Sequence, residues 1–447
     1  AKGMASGVTI QGWDFSNDLT EMRNNAGALD ISNHSYGSVC GWYGTVEVSS
    51  GTYADMWWGD YSIGGAAGED SQFGLYNAAS ATIDDILADN PNYLSVWSAG
   101  NDRNDGFTNT LSGQFVAFFT TAPATYVANL GYGRYLVRAS DGYTIPGTDG
   151  NNGDGYDSLP AGGQTAKNTL VIGAVYDHLN EPQNGSTVST VGFSSYGGTD
   201  DGRLGVDVVA NGYSLTSTSN AGDASYTGMS GTSMAAPNAT GTLALLHEHY
   251  QKLTSGSIPT SATQKAYVIH TATDVVNTAI GGQPGPDYAT GYGLINGLAA
   301  AEFLTSAIDG SGSDHLFENT LADSATFSLT GLMATDSELK ATLVWTDPAG
   351  TAQNDLLDNR TSVLVNNLDL WLTDGSSTIY YPWTLDIENP ADAASTGVNN
   401  LDVVEQVSLT GITPGSLWSI HVGHQGNLTG GSQAYSLLFS GLAIAIP

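Results

Sequence analysis

The sequence predicts an α/β domain on a mainly parallel, doubly wound sheet, followed by an all-β domain of jelly-roll or β-sandwich type. Three observations carry that prediction. From residue 1 to about 305, short apolar runs alternate with helical stretches, the pattern of βαβ units. The turn-rich hexapeptide Asp309-Gly310-Ser311-Gly312-Ser313-Asp314 then interrupts the pattern. Beyond it the chain alternates in strand fashion with no long helix. A length of 447 residues is enough for two domains, read as 1–308 and 309–447.

Taken in order, Val8–Trp13 reads as a first strand, with a short helix near Leu19–Asn25 and a second strand at Leu29–Tyr36. A helix over Ala78–Ala88 precedes the apolar strand Leu94–Ser98. Leu170–Val175 and Val206–Ala210 are nearly continuous apolar runs, as expected of parallel strands covered on both faces. Ala239, Leu243, Leu245, Leu246 and Tyr250 sustain a helix to about Leu253, with Pro237 assigned to its first turn. Helices over Ala262–Ala272 and Leu294–Ser306 follow. The C-terminal strands are Ser324–Leu329, Leu339–Trp345, Leu364–Leu372, Val403–Leu409, Trp418–Val422 and Ala434–Phe439. The segment 105–164 is rich in aromatic residues, among them Phe107, Phe115, Phe118, Phe119, Tyr126, Tyr132, Tyr135 and Tyr143. It reads as a small β-rich insertion; its aromatics form a local mini-core or wall a binding cleft, the mini-core being favoured.

Composition narrows the function. Asp and Glu total 44 against 11 Lys and Arg, a net charge of −33, although only 12% of residues are charged. Such acidity disfavours nucleic acid and anionic membranes as partners, and it favours cation binding and a secreted life. The single Cys40 excludes an internal disulfide, so packing or bound ions must supply stability. No apolar run is long enough to span a membrane.

The chemistry concentrates in Ser230-Gly231-Thr232-Ser233-Met234-Ala235-Ala236-Pro237. This segment places a serine at the mouth of a helix, where backbone N–H groups and the helix dipole favour negative charge. A serine hydroxyl needs an activating base and a site for the oxyanion to act as a nucleophile. The octapeptide resembles the G-T-S-M-A-x-P nucleophile motif of the subtilisin-like serine proteases. Leu94-Ser95-Val96-Trp97-Ser98-Ala99-Gly100-Asn101 resembles that family's strand ending in A-G-N. Asn33-His34-Ser35-Tyr36-Gly37, Thr165-Ala166-Lys167-Asn168, Phe193-Ser194-Ser195-Tyr196-Gly197 and Val206-Asp207-Val208-Val209-Ala210 follow the family's order. The resemblance implies a serine endopeptidase acting on peptides through an acyl-enzyme. Ser233 would be the nucleophile and Asn101 an oxyanion donor. Ser35, Tyr36, Gly37, Ser98, Ala99 and Gly100 would present backbone to an extended substrate.

The family's D-T/S-G and H-G-T-H motifs, which carry the catalytic aspartate and histidine, do not occur in this sequence. Lys2-Gly3-Met4-Ala5 resembles the turn that follows the histidine-bearing helix. None of the eight histidines, His34, His178, His247, His249, His270, His315, His421 and His424, reads as a substitute base. His421-Val422-Gly423-His424 has metal-ligand spacing but lacks a companion Glu or Cys. The expectation is that an N-terminal fragment carrying Asp and His completes the site. The alternative is an inactive protein of the same fold that binds or acts as a scaffold.

In the C-terminal region, Leu343–Asp347, Leu364–Leu370 and Asn399–Glu405 resemble the β-barrel of the alkaline, oxidation-resistant subtilases. The resemblance implies structural calcium, with Asp347, Asn367, Asp369 and Glu405 as candidate ligands, against the plain reading that they cap strands and turns. The loop Thr148–Asp157, with Gly150, Gly153 and Gly155 among Asp149, Asn151, Asn152, Asp154 and Asp157, is a further calcium candidate without EF-hand spacing.

Overall fold

A computed structural model describes residues 3–65, 67–108, 111–150, 153–177, 185–310, 312–354 and 356–444. The chain runs through α1 (Asp18–Asn25), β1 (Ile31–His34), β2 (Trp42–Ser49), β3 (Thr52–Asp60), α2 (Ala78–Asp89) and β4 (Leu94–Ser98). Next come β5 (Gln114–Phe118), β6 (Ala128–Gly131), β7 (Arg134–Arg138), β8 (Leu170–Val175) and β9 (Val208–Asn211). The exposed hairpin β10 (Leu215–Thr218) and β11 (Tyr226–Met229) leads into α3 (Thr232–Leu253), α4 (Ser261–Thr271) and α5 (Gly297–Asp309).

β1, β4, β8 and β9 form a four-stranded sheet in that order, and every pairing in it is parallel. All residues of β4 and β8 are buried, as in parallel strands covered on both faces. On one face Ala235, Ala239, Leu243 and Leu246 of α3 join Leu94, Val96, Ile172 and Val208 in a single core. On the other, Ile83, Ile86 and Leu87 of α2 pack with Trp97 and Met22. Asn77 caps α2 by accepting from the Ala79 and Ser80 N–H groups at 2.9 and 3.1 Å.

Two expectations are corrected. Val8–Trp13 forms no strand: Val8, Ile10 and Trp13 are exposed, Ile10 by 83%. A strand needs a ladder partner, and among the described residues β1, at the edge of the parallel sheet, pairs only with β4. The aromatic segment, for its part, is not a self-contained insertion. Its strands complete a five-stranded sheet of order β2-β3-β5-β7-β6, two of whose strands come from residues 42–60. Trp42, Trp57, Phe115, Phe119 and Tyr135 pack in its interior, so these aromatics form a mini-core. Asp149 holds this sheet by accepting from the Trp42 N–H at 2.9 Å.

The C-terminal region comprises β12 (His315–Ala322), β13 (Phe327–Ala334), β14 (Glu338–Trp345), β15 (Asn367–Asp374), β16 (Ile379–Tyr380), β17 (Trp383–Thr384) and β18 (Ser395–Thr396). It ends with β19 (Val404–Thr410), β20 (Leu417–Gln425), β21 (Ser432–Ser440) and β22 (Leu442–Ile444). Two antiparallel sheets, β12-β21-β14-β19 and β16-β15-β20-β13-β22, share a core that includes Leu343, Trp345, Leu370, Ile420 and Leu437. α4 is buried from Ser261 to His270 between this core and the parallel sheet. Its Lys265 pairs with Asp207 at 2.8 Å, and its His270 meets Thr342 of β14 at 2.9 Å. Among the described residues no helix is long and apolar enough to cross a membrane.

The seam between the two regions is polar. Lys167 forms an ion pair with Asp347, and both side chains are fully buried. The ammonium also donates to the Pro348 and Val363 carbonyls at 2.6 and 3.1 Å, while Asn168 and Asp347 exchange hydrogen bonds. Breaking a buried pair leaves an uncompensated charge, which costs about 3–5 kcal/mol. Lys167→Met should therefore lower stability in urea by about 3–5 kcal/mol. Lys252→Met, which breaks an exposed pair with Glu248, should leave the midpoint unchanged.

Candidate active site

Three segments converge on Ser233. β4 runs out into Ser98-Ala99-Gly100-Asn101, β1 runs out into Ser35-Tyr36-Gly37, and α3 starts at Thr232 with Ser233 as its second residue. Because β1 and β4 are parallel neighbours in register, both carry their carboxyl ends to the same edge, where α3 begins.

Thr232 locks that meeting point. Its N–H donates to Asn101 Oδ1 at 2.9 Å, and its hydroxyl lies 3.0 Å from the same oxygen and 3.1 Å from the Gly100 carbonyl. A backbone N–H can only donate, so the side-chain atom it faces must be the amide oxygen. The Asn101 Nδ2 donor is thereby turned outward, and Asn101 itself is exposed. Among the described residues neither Nδ2 nor the Ser233 N–H has an acceptor. These are two unspent donors beside one hydroxyl, the requirement for holding a tetrahedral oxyanion.

Pro237 lies later in the helix than the sequence pattern suggested. α3 starts at Thr232, so Pro237 is its sixth residue, in the second turn. An ordinary residue there would donate its N–H to the Ser233 carbonyl four positions back. With proline, that carbonyl is free of the helix and accepts instead from the Ser35 hydroxyl at 3.0 Å. Ser233 Oγ returns a bond to the Ser35 carbonyl at 3.2 Å. Ser233 is thus tied to the chain just beyond β1 through both its backbone and its hydroxyl.

The remaining backbone candidates divide. Gly37 is exposed, and among the described residues its N–H and C=O are unbonded, so both are open to an extended chain. The Tyr36 carbonyl is taken by Gln164 Nε2 at 2.9 Å, and the Gly100 carbonyl accepts from Ser195 N–H at 3.1 Å. Ser98 and Ala99 are buried, and the Ala99 N–H is spent on Ile172. They form the floor of the site, not its contact surface. Thr232 and Ser195 are positioning residues the sequence reading did not single out, although Thr232 stands inside the G-T-S-M motif.

No described histidine reaches Ser233. His34 is stacked on Trp97 with ring centroids 4.3 Å apart, and its two nitrogens meet Ser32 Oγ at 2.7 Å and Tyr36 OH at 2.6 Å. His249 meets Thr305, His270 meets Thr342, and His247 faces Gln251 and Asp30. His315 packs on Phe439. His421 and His424 bond to Ser328 and Ser324. His178 lies outside the described residues, as do Asn151 and Asn152 of the Gly/Asp loop.

The candidate calcium ligands of the C-terminal region are also redistributed. Asp347 is taken up by Lys167 and accepts from the Val365 and Asn366 N–H groups at 2.9 and 2.7 Å. Glu405 is buried, burial pushes its carboxyl well up, and it accepts from Leu370 N–H at 2.5 Å. Asp369 is bonded to Gln425 and Asn367 to Asn400. Among the described residues these groups join no cluster of three carboxylates or histidines, whereas Glu69, Asp157 and Asp358 do.

With this geometry in view, comparison with known proteins is decisive. The sequence profile described as "Subtilase family" matches residues 3–293. The chain belongs to the subtilase family. It is similar to the "Serine protease/ABC transporter B family protein tagA" of Dictyostelium discoideum, 26% identical over 386 residues, which is 74% of this chain and 21% of that protein. The chain thus spans about a fifth of the length of that relative. Solved structures with likeness include prenylagaramide maturation protease PagA, at 15% identity, covering 67% of this chain and 71% of that one, with a TM-score of 0.35. Patellamide maturation protease PatA is similar at 16% identity, covering 66% and 68%, with a TM-score of 0.36. The matching profile is that of a peptidase family.

His34 gives a test within this subtilase site. Burial holds its imidazole down at about 4, below the unfolded value of about 6.5, so it is neutral at pH 7. Its contribution to stability is complete above pH 6.5 and is lost as pH falls toward 4. His34→Phe, which preserves stacking on Trp97, should flatten that part of the urea-midpoint profile relative to wild type. An unchanged slope would assign the acid sensitivity to other groups.

Proposed function

We propose that this chain carries the nucleophile and oxyanion site of a secreted serine endopeptidase whose catalytic histidine and aspartate lie on a segment outside this sequence. The observation that carries the reading is the Thr232–Asn101 lock, which leaves the Ser233 N–H and the Asn101 amide as free donors beside Ser233 Oγ. A binding module would have no need of that arrangement. In the cycle, Ser233 Oγ attacks the scissile carbonyl, the oxyanion settles on those two donors, and Gly37 holds the substrate by strand addition.

The proposed second segment has a place to go. Among the described residues β1 pairs on one edge alone, and Val8, Ile10, Trp13 and Phe15 are exposed, as missing strand and helix partners would leave them. Met4 rests against α3, where a Cβ added at Gly241 would stand 2.9 Å from it, so this leg of the chain passes close to the nucleophile helix. The chain's acidity suits an extracellular setting.

Intact-mass analysis of native material should reveal a companion segment bearing H-G-T-H, joined to this chain or bound to it. A fluorophosphonate should then label Ser233 in that material and not in Ser233→Ala. Asn101→Ala should reduce kcat on a peptide substrate on the order of 10²–10³-fold, with KM little changed. If the companion segment is present and Ser233 remains unlabelled, the chain is an inactive subtilase-fold scaffold.

A further inference from the structure

The five-stranded sheet β2-β3-β5-β7-β6 carries aromatic rings that its own packing does not use. Trp57, Phe115 and Tyr135 fill one of its apolar cores, but Trp58 and Tyr132 belong to neither of them. Trp58 is exposed, and Tyr132 is 90% exposed. Tyr132 also stands in the turn between β6 and β7 with a left-handed backbone, φ 53°, where a bulky residue is strained and glycine would not be. Its ring lies 5.9 Å from the Arg134 guanidinium, and nothing in the packing of the sheet calls for a tyrosine there. Trp58, Phe118 and Tyr132 line, together with Asp60 and the segment Asp70-Ser71-Gln72, an open cleft of about 460 Å³. The Trp58 and Phe118 rings are 6.3 Å apart.

The charge of the cleft is one-sided. Two of the residues lining it are acids, and none is Lys or Arg. Asp60 is fixed in place, accepting from the Ser62 N–H at 2.8 Å and from the Thr120 hydroxyl. Burial opposes its ionisation, but those bonds hold its carboxyl below the ordinary value, and among the described residues it forms no ion pair. Asp70 is buried and accepts from the Gly41 and Gln72 N–H groups at 2.7 and 3.1 Å. The cleft also adjoins the backbone offered to substrate. Ser38, next to Gly37, donates to the Ala161 carbonyl at 3.2 Å, and the Ala161 N–H donates to the Gln72 carbonyl at 2.8 Å. One wall of the cleft is therefore two chain widths from the open N–H and C=O of Gly37.

We propose that this aromatic cleft is an exosite for an arginine side chain of the protein substrate, separate from the residues held at Ser233. The identity of the occupant rests on the peptidase reading above. A guanidinium is planar and always charged, so it stacks on aromatic faces while its N–H groups reach a carboxylate. Trp58, Phe118 and Tyr132 supply the faces, and Asp60 supplies the fixed carboxylate. An aliphatic side chain would cover the rings but leave Asp60 without a counter-charge, and an acidic one would be repelled. Lysine carries its charge as a strongly hydrated point and gains less from the rings.

The test measures binding without turnover, by fluorescence anisotropy on the intact protein carrying Ser233→Ala, its companion segment included. The probe is a labelled dodecapeptide of alanine and serine with one arginine moved along successive positions, and its twin carries citrulline, the neutral isostere. At about 0.15 M salt, where charges are screened beyond about 8 Å, the arginine peptide should bind about 5–30-fold more tightly than its twin. Diffuse attraction to a chain of net charge −33 would not depend on any single residue. Tyr132→Ala and Asp60→Asn should therefore each cut the ratio about threefold or more, whereas Asp392→Asn, at an exposed acid of the C-terminal region, should leave it unchanged. Tyr132→Ala removes an exposed ring and keeps the fold, so it carries the test alone where Asp60→Asn does not fold. Equal binding of the two peptides, or a preference untouched by Tyr132→Ala, would overturn the exosite. Fluorophosphonate labelling of Ser233 in the wild type decides the peptidase reading separately.

Discussion

The placement of charge inside a strongly acidic chain governs this structure. With 44 carboxylates and only 11 Lys and Arg, cations are scarce, yet Lys167, Arg203 and Lys265 are all buried. Each sits against one aspartate: Asp347, Asp201 and Asp207. These pairs do not spread over the core. Lys167 and Asp347 span the seam between the parallel sheet and the C-terminal region, and Lys265 anchors the helix packed between them. Arg203 adds a hydrogen bond to the Thr165 carbonyl in the loop that leads to Lys167. Apolar packing is indifferent to small rotations of one layer over another, whereas a buried ion pair tolerates little displacement before its desolvation cost is exposed. The pairs therefore set the orientation that apolar contact alone would leave loose.

The same economy shapes the nucleophile. Ser233 is held through a carbonyl that an ordinary helix would engage with the N–H four residues on. Proline at 237 removes that N–H, and the freed carbonyl goes to Ser35. On the other side Asn101 spends its oxygen on Thr232, so its nitrogen remains to act. Each lock uses up the atom that would compete with substrate and leaves the useful one. The resulting geometry is fixed before any base or substrate arrives, which is where electrostatic stabilisation of an oxyanion gains its strength.

How far this was legible in the sequence depended on distance along the chain. β4, β8 and the body of α3 announce themselves through apolar runs and helical spacing, because burial on two faces or one stripe is a local constraint. Ser233 and Asn101 were legible through motifs whose residues act within a few positions of one another. Val8–Trp13 misled because its apolar pattern is that of a strand, and a pattern alone cannot supply the ladder partner. The sheet of β2, β3, β5, β7 and β6 was half seen: the aromatics of 105–164 signalled a core, but pairing of β3 with β5 joins residues about sixty apart, and nothing local encodes that. The carboxylate cluster was hidden for the same reason. Asp157 was read within the Gly/Asp loop, but its approach to Glu69, Asp200 and Asp358 is made only by the fold.

The two unpaired features of the molecule differ in kind. The edge of β1 that has no partner among the described residues and the exposed Val8, Ile10, Trp13 and Phe15 present unused backbone and apolar surface, which water can cover at a cost that grows gradually with area. A macromolecular segment is the natural complement of such a surface, since it supplies both a ladder and apolar cover. The buried carboxylates beside Gly74 present unused charge in a space too small for a side chain, where water has been excluded. The first surface would be covered by the segment proposed to carry the catalytic histidine and aspartate, and covering it would do nothing for carboxylates buried elsewhere in the fold.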